Sequence, residues 1–414
     1  MKSLPKGWEL IKLGELCEIV SGNTPKGLEN ISNSGELQFY KVSDMNSFGN
    51  EVEMCTSNFN LTLEELKTLK IKVYPKGTII FPKRGGAILT NKKRLLSKDS
   101  SFDLNLMGVL PNEKVGSDFL FYWFQKLDLG KICDGSNVPQ INNKNIAPLD
   151  FPLPPLKTQH QIVAKIEELF CELDKGIEEL KKAQAQLKTY RQSVLKWAFE
   201  GRLTNENVKD GVLPDGWEMK TIKELALKTD KVKRKEINEN EKFIYLDIGG
   251  LDNCLNKIEN YKIYFWKEAP SRAQQIVKIN DVLFSTVRTY MKNIAIVNKE
   301  IFNNQIVSSG FTVIRANEKV SCHKYIFYNT ISDVFLNPLN ELQTGSSYPA
   351  VRDSDVFNQK IATPSVVEQH QIVQEIESRL SVADKLEEQI KTSLQQSETL
   401  RQSILKKAFC GELV

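Results

Sequence analysis

The sequence is poor in the devices that mark secreted proteins, metal sites and many enzymes. Its seven cysteines (Cys17, Cys55, Cys133, Cys171, Cys254, Cys322 and Cys410) are scattered, odd in number and free of any Cys-x-x-Cys pair. That usage fits reduced thiols rather than a disulfide or zinc framework, and no structural metal is expected. No run approaches the ~18 apolar residues of a membrane span. The opening Met1-Lys2-Ser3-Leu4-Pro5-Lys6-Gly7-Trp8 lacks the apolar centre of a signal peptide, so the expectation is a cytoplasmic protein with no membrane partner. Also missing are a glycine-rich cofactor loop after a strand, an Asn-Pro-Pro-aromatic tetrad, a phosphate-binding Gly-x-x-x-x-Gly-Lys and a convincing set of nuclease carboxylates. These absences point away from catalysis and predict no cofactor held by this chain.

What is present is ordinary in bulk. A chain of 414 residues, 41% hydrophobic and 26% charged, folds as two or more domains, and a formal net charge of +4 decides nothing about partners. Local clustering of Lys and Arg matters more for a phosphate backbone.

The chain is written twice, and a repeat of this kind sets the architecture. Leu4-Pro5-Lys6-Gly7-Trp8-Glu9 recurs as Leu213-Pro214-Asp215-Gly216-Trp217-Glu218. Gln159-His160-Gln161-Ile162-Val163 returns as Gln369-His370-Gln371-Ile372-Val373, and Arg191-Gln192-Ser193-Val194-Leu195-Lys196 as Arg401-Gln402-Ser403-Ile404-Leu405-Lys406. Ala198-Phe199 with Gly201 and Leu203 matches Ala408-Phe409 with Gly411 and Leu413. Between these anchors the halves diverge, so two copies share a scaffold while each presents a different face.

In the variable parts, Val73 to Phe81, Val282 to Phe284, Asn293 to Val297 and Phe311 to Ile314 read as strands. Leu61 to Leu69, Phe119 to Leu127 and Tyr325 to Phe335 read as helices, which makes each variable domain mixed α and β. From Lys157 to Phe199 there is no proline, and Ile166, Leu173, Leu180, Leu187 and Val194 recur every seven residues as a coiled-coil seam. The second copy has Ile376, Ala383, Ile390, Ser397 and Ile404 in register, with Leu386 and Leu400 at d-like sites. Each helix predicts a rod of about 65 Å. If the second runs back antiparallel to the first, the halves are related by a pseudo-two-fold axis. Two readers on a stiff spacer suit a two-part DNA target, although such helices also serve simply to hold a protein together.

Phe151-Pro152-Leu153-Pro154-Pro155-Leu156-x-x-Gln159-x-x-Ile162-Val163, repeated in degenerate form from Ala362-Thr363-Pro364 and joined to the Leu-Pro-x-Gly-Trp openings, resembles the specificity subunits of type I restriction-modification enzymes. The resemblance covers essentially the whole chain. It implies an α+β protein: target recognition domains at 1–155 and 206–362, a central spacer helix at 156–205 and a C-terminal spacer helix at 363–414, antiparallel as a coiled coil in an internal pseudo-two-fold repeat. Each domain would read half of an asymmetric, interrupted site in double-stranded DNA. Two adenine methyltransferase subunits and ATP-driven restriction or translocase subunits would be the partners, and S-adenosylmethionine, ATP and Mg would belong to them. The second copy departs at Ser365-Val366-Val367-Glu368, where the first has Pro155-Leu156-Lys157-Thr158.

Lys83-Arg84-Gly85-Gly86 and Lys92-Lys93-Arg94 bracket a hairpin whose cationic tips suit phosphates; the alternative is a solvated basic hairpin. In the second copy Lys231, Lys233, Arg234 and Lys235 form a basic run or an exposed loop, and Arg288-Thr289-Tyr290-Met291-Lys292 sets an aromatic between cations. Gly135-Ser136-Asn137-Val138-Pro139-Gln140-Ile141-Asn142-Asn143-Lys144 corresponds to Gly345-Ser346-Ser347-Tyr348-Pro349-Ala350-Val351-Arg352-Asp353. Asn and Gln pair bidentately with adenine and Arg with guanine, so Gln140, Asn142 and Arg352 are base or backbone readers, with Asn143, Lys144 and Tyr348 beside them. An Asn-stabilised turn explains the same loops equally well. Gln159, His160, Gln161, Gln369, His370 and Gln371 cap their helices or face a partner subunit. Two other functions stay open: a coiled-coil scaffold with two protein-binding domains, and a DNA methyltransferase in its own right.

Overall fold

The computed structural model describes residues 4–135, 137–205, 207–209 and 211–414. Met1 to Ser3 of the opening, Ser136 of the Gly-Ser-x-x-Pro loop and Glu206, at the expected start of the second recognition domain, lie outside them. The chain forms two compact units: residues up to Leu180 with Thr392–Val414, and Lys181–Lys391.

In the first unit a five-stranded sheet has the order Cys17–Ser21, Leu106–Pro111, Ile79–Pro82, Arg94–Leu96, Glu53–Met54. A three-stranded sheet adds Phe59–Leu61, Leu37–Tyr40 and Ser101–Phe102. The second unit repeats the plan with Ala226–Leu227, Phe311–Ala316, Val282–Ser285 and Ile294–Ile296, beside a sheet ordered Lys262–Phe265, Lys242–Leu246, Ile306–Ser308, Ala273–Ile276. In each unit a two-stranded antiparallel ribbon, Glu9–Lys12 with Asp150–Leu153 or Glu218–Thr221 with Lys360–Thr363, leads directly into a long helix. These helices are Leu156–Phe199 and Val366–Ala408.

Two expected elements differ from their sequence reading. Of Val73 to Phe81 only the end is strand, because Pro75 and the left-handed Gly77 (φ +82°) form a turn first. Tyr325 to Phe335 is two helices, His323–Thr330 and Asp333–Glu341; Ser332 caps the second by accepting from the Phe335 N–H at 3.3 Å.

Each unit's core contains two helix ends from distant parts of the chain. Ile162 and Ile166 of the first long helix pack with Ile404, Leu405, Ala408 and Phe409 of the second, under Phe119 and Phe151. In the other unit Val194, Leu195, Ala198 and Phe199 pack with Ile372, Val373 and Ile376 under Tyr325. Within each unit the two segments run antiparallel, since in the first Arg401 meets Asp174 and stacks 4.4 Å from the Phe170 ring centre, while Ile404 and Leu405 join Ile162 and Ile166. In the second unit Arg191 pairs with Asp384 at 2.6 Å and Glu387 at 2.9 Å.

These ion pairs correct the expected seam. Leu386 and Leu400 are 44% and 51% exposed and stand outside it. Half-buried Arg191 and Arg401 flank the seam instead and meet exposed carboxylates of the facing segment, Asp384 with Glu387 and Asp174 respectively.

The Leu-Pro-x-Gly-Trp motifs close the units against the ends of the long helices. Gly201 (φ +81°) and Gly411 (φ +71°) follow the two helices, and a Cβ would fall 2.3 Å from the Pro214 ring and 2.1 Å from the Pro5 ring respectively. Glycine is required at both positions for its backbone angle and for this close approach. Trp217 is buried and donates from Nε1 to Glu368, which belongs to the segment where the second copy departs from the first.

At the start of each long helix a buried glutamine fastens it to its unit. Gln159 accepts from the Gly116 N–H at 2.9 Å and donates to the Lys114 and Pro154 carbonyls, both at 2.9 Å. Gln369 does the same with the Cys322 N–H and the Val320 and Pro364 carbonyls. Both are fully buried, which corrects their reading as partner-facing residues. Replacing Gln159 by Leu strands a buried amide N–H and two carbonyls, and urea denaturation should show a loss of about 2–4 kcal/mol, from ~1–3 kcal/mol per unsatisfied group with partial relaxation.

Candidate nucleic-acid interface

Strand register brings the first unit's polar loops to one end of its sheet. Ser21 pairs with Met107, Pro82 with Leu106, Ile80 with Arg94 and Glu53 with Leu95. The turns after Ser21 and Pro82 and those before Glu53, Arg94 and Leu106 therefore share that end. Lys83 Nζ reaches across it to Ser21 Oγ at 2.7 Å, and partial burial beside Arg84 pulls the ammonium below the usual lysine range.

The loop after Pro82 is clasped by the Gly135 loop. The Gly85 N–H donates to the Pro139 carbonyl at 2.8 Å, the Ile141 N–H to the Lys83 carbonyl at 2.9 Å, and Arg84 lies opposite Gln140 in an isolated bridge. Gly85 has φ +74°, which turns the chain sharply. Arg84, Asn142 and Asn143 are exposed and Gln140 is half-buried at its edge. Asn142 also opens a helical turn, its N–H donating to Asn145 Oδ1 at 2.8 Å. Lys144 pairs with Asp134 at 3.1 Å; hydrogen bonds from Asn145 and then Lys144 hold that carboxyl below its usual range.

The second unit builds the same clasp from different side chains. The Arg288 N–H donates to the Pro349 carbonyl at 2.7 Å, the Val351 N–H to the Thr286 carbonyl at 3.0 Å, and Val287 lies opposite Ala350. Arg288 occupies the place of Gly85 and also has a positive φ, +49°, in the left-handed region. For a residue with a Cβ this conformation costs on the order of 1 kcal/mol, and its side chain is held in return. The guanidinium donates to the Ser347 carbonyl at 3.1 Å and lies 5.0 Å from the Tyr348 ring centre. Tyr290, Tyr348 and Arg352 are exposed around it, and the Arg352 N–H is capped by Asp355 at 2.8 Å. Lys292 is tied back to Asp333 at 2.7 Å.

The other basic residues are distributed differently. Lys92 joins the sheet end of the first unit by donating to Asn46 Oδ1. Lys93 does not: it is 1% exposed and donates to Asn91 Oδ1 at 2.8 Å and to the Leu127 carbonyl at 2.6 Å. Arg94 turns inward to the Asn50 and Lys93 carbonyls. The expectation of a cationic tip is thus corrected for Lys93 and Arg94, whose donors serve internal carbonyls. Lys231 and Lys233 are exposed along an open cleft that includes the stacked Phe243 and Trp266 rings, 4.1 Å apart, and Lys235 is exposed beside them. Arg234 is fastened to the Pro270 carbonyl at 2.5 Å. This run sits on the second unit's other sheet, through the bridge from Lys231 to Gln275. His160, Gln161, His370 and Gln371 lie exposed on the first turns of the long helices. Among the described residues no group of three or more His, Cys, Asp or Glu could hold a metal, and no helix is long and apolar enough to cross a membrane.

Asn46, Asn50, Asn253 and Asn256 were not singled out by sequence. Asn-rich turn segments carry the signal, but the two copies share no residue pattern there.

The sequence pattern of the type I restriction modification DNA specificity domain matches twice, at residues 5–182 and 214–396. The chain belongs to this family. It is 23% identical to the type I restriction enzyme EcoDI specificity subunit of Escherichia coli, over 99% of this chain and 89% of that protein. It is also 23% identical to the EcoKI specificity subunit of E. coli strain K12, over 99% of this chain and 90% of that one. Among solved structures, the HsdS subunit from Thermoanaerobacter tengcongensis superposes with a TM-score of 0.61 at 20% identity, covering 99% of this chain and 98% of that one. A chain from a structure addressing assembly and conformational transition of the type I R-M system reaches 0.74 at 21% identity, covering 100% of both. The fold is thus that of a family of specificity subunits, with a doubled recognition unit and a long helix leading from each.

Burial sets a pH signature in the first unit. It lowers the Lys93 ammonium to about 8, against 10.5 for an unperturbed lysine. Between these values the unfolded chain keeps a proton that the folded chain has released, so raising the pH stabilises the fold. Measured against Lys93→Met, the wild type should gain stability from pH 8 to pH 10.5 and gain none below pH 8.

Proposed function

We propose that this chain is the DNA-reading subunit of a type I restriction-modification complex, each unit reading one half of an asymmetric, interrupted site. The observation that carries this reading is the clasp built twice on the same main-chain hydrogen bonds, displaying Arg84, Gln140 and Asn142 in one unit and Arg288, Tyr348 and Arg352 in the other. Arginine pairs bidentately with guanine, and Asn or Gln with adenine. Lys83, Lys92 and Lys144 in one unit and Lys292 in the other would neutralise phosphates around them, Lys144 and Lys292 by exchanging Asp134 and Asp333 for phosphate, and Lys231, Lys233 and Lys235 would do so along the second unit's other sheet. Asn143 would contact backbone beside Asn142.

The chain catalyses nothing in this reading. Two methyltransferase subunits would methylate adenine and restriction subunits would translocate and cut. S-adenosylmethionine, ATP and Mg would act on those partners in the cytoplasm. His160, Gln161, His370 and Gln371, exposed beside the buried Gln159 and Gln369, would meet the methyltransferase subunits at equivalent places in the two units.

The test is single-molecule sequencing of adenine methylation in cells carrying the methyltransferase subunits, with and without this chain. A two-part motif that appears only with the chain supports the proposal, and a methylation pattern indifferent to it refutes it. Within that motif, Arg288→Ala should relax one position of one half-site by about 1–3 kcal/mol of discrimination and leave the other half intact. Lys92→Ala should weaken binding for all sequences and reduce the slope of log affinity against log salt by about 1.

A further inference from the structure

At the clasp end of the first unit's sheet stands a side chain that the fold does not use. Phe48 is 97% exposed. It sits at the tip of the turn Ser47-Phe48-Gly49-Asn50, closed by the Asn50 N–H donating to the Ser47 carbonyl at 3.1 Å, with Gly49 at φ +86°.

A fully buried amide holds that turn rigid. Asn50 donates to the Asp44 and Thr56 carbonyls, both at 2.8 Å, and accepts from the Cys55 and Thr56 N–H groups at 2.8 and 3.0 Å. Lys92 donates to Asn46 and Arg94 to the Asn50 carbonyl, so the turn is also fastened to the basic loop beside it. A scattered surface apolar residue needs no explanation. A bare aromatic ring on a pinned turn, among cations, at the end of the sheet that carries the clasp, does.

The second unit repeats the arrangement where the sequences have drifted apart. Its corresponding loop, between the helical turn Ile248–Gly250 and strand Lys257–Ile258, carries Leu255, 63% exposed. Asp252 Oδ1 accepts from the Cys254 and Leu255 N–H groups at 2.8 and 3.0 Å. Asn253 donates to the Met291 carbonyl at 2.9 Å, and Asn256 to the Lys292 and Ile294 carbonyls, both at 3.1 Å. The loop is thereby fixed to the residues just beyond Arg288. Different side chains and different anchors thus deliver the same result twice.

We propose that Phe48 and Leu255 are apolar wedges, each inserting at a base step of the half-site its unit reads and partly unstacking it. The proposal rests on the DNA-reading role above. Apolar side chains presented this way among cations open base steps and kink the duplex, and the deformability of the step then contributes to sequence choice at positions no polar group touches.

The test uses the full chain assembled with its methyltransferase subunits and a duplex carrying the motif found by methylation sequencing. 2-Aminopurine is placed in turn at each base of both half-sites except the methylated adenine, where base extrusion would give a signal by itself. Wild-type protein should raise fluorescence at one step in each half. Phe48→Ala should abolish the rise in one half only and weaken binding by roughly tenfold, with the salt slope unchanged because no charge is removed. Phe48→Trp should restore both, and Leu255→Ala should act on the other half. If Phe48→Ala leaves fluorescence and affinity unchanged while the motif still depends on the chain, the wedge is refuted and the DNA-reading role stands. If no motif depends on the chain, both fall.

Discussion

Everything in this structure hangs on how the two long helices are buried. Their middles are largely exposed or half-buried, and full burial concentrates toward their ends: Gln159, Ile162 and Ile166 opposite Ile404, Leu405 and Ala408, and Val194, Leu195 and Ala198 opposite Gln369, Ile372 and Ile376. Each unit completes its core only by bringing together two helix segments far apart in the chain. The first needs a segment from the far end of the chain, and the second lies wholly between. Hydrophobic burial at the helix ends, at ~25 cal/mol per Å² of apolar surface, is therefore also what makes each recognition unit whole.

The buried glutamines convert that packing into a defined angle. An apolar residue at the same place would bury comparable area without direction, whereas an amide with three fixed partners accepts one orientation of the helix against the loop before it. Farther along, Arg191 and Arg401 meet carboxylates of the facing segment. These contacts adjoin the apolar ends and add charge pairing where the hydrophobic seam thins out.

Much of this was legible in the sequence. The repeat, the heptads at Ile166 to Val194 and the Leu-Pro-x-Gly-Trp openings all carry short-range patterns; Ile166 and Val194 at the heptad ends are buried and Leu173, Leu180 and Leu187 between them half-buried. The errors have physical reasons. Leu386 and Leu400 suit a seam by hydrophobicity, but both are exposed, because the seam of the second helix is carried by Ile376, Ala383, Ile390 and Ile404 instead. Gln159 looks like a surface polar residue because its partners, Gly116, Lys114 and Pro154, are set by folding rather than by neighbourhood. Lys93 and Arg94 sit in a basic run yet both turn inward to internal carbonyls, and only Lys92 stays at the sheet end. The sequence places Arg84 and Lys92 on one hairpin, but that the loops of Phe48 and Gln140 meet it at one sheet end follows only from strand register and the clasp, which join three separated loops.

The clasp itself has a consequence for how such a protein changes over generations. Its four hydrogen bonds, from Gly85 and Ile141 in one unit and Arg288 and Val351 in the other, run between main-chain atoms only. The same two main-chain bonds close the turn with Gly85 in one unit and Arg288 in the other. A lineage can therefore replace what it displays to its target without rebuilding what holds the display in place. Change in recognition is thus loosened from folding at this turn, because the bonds that close it survive a change of side chain.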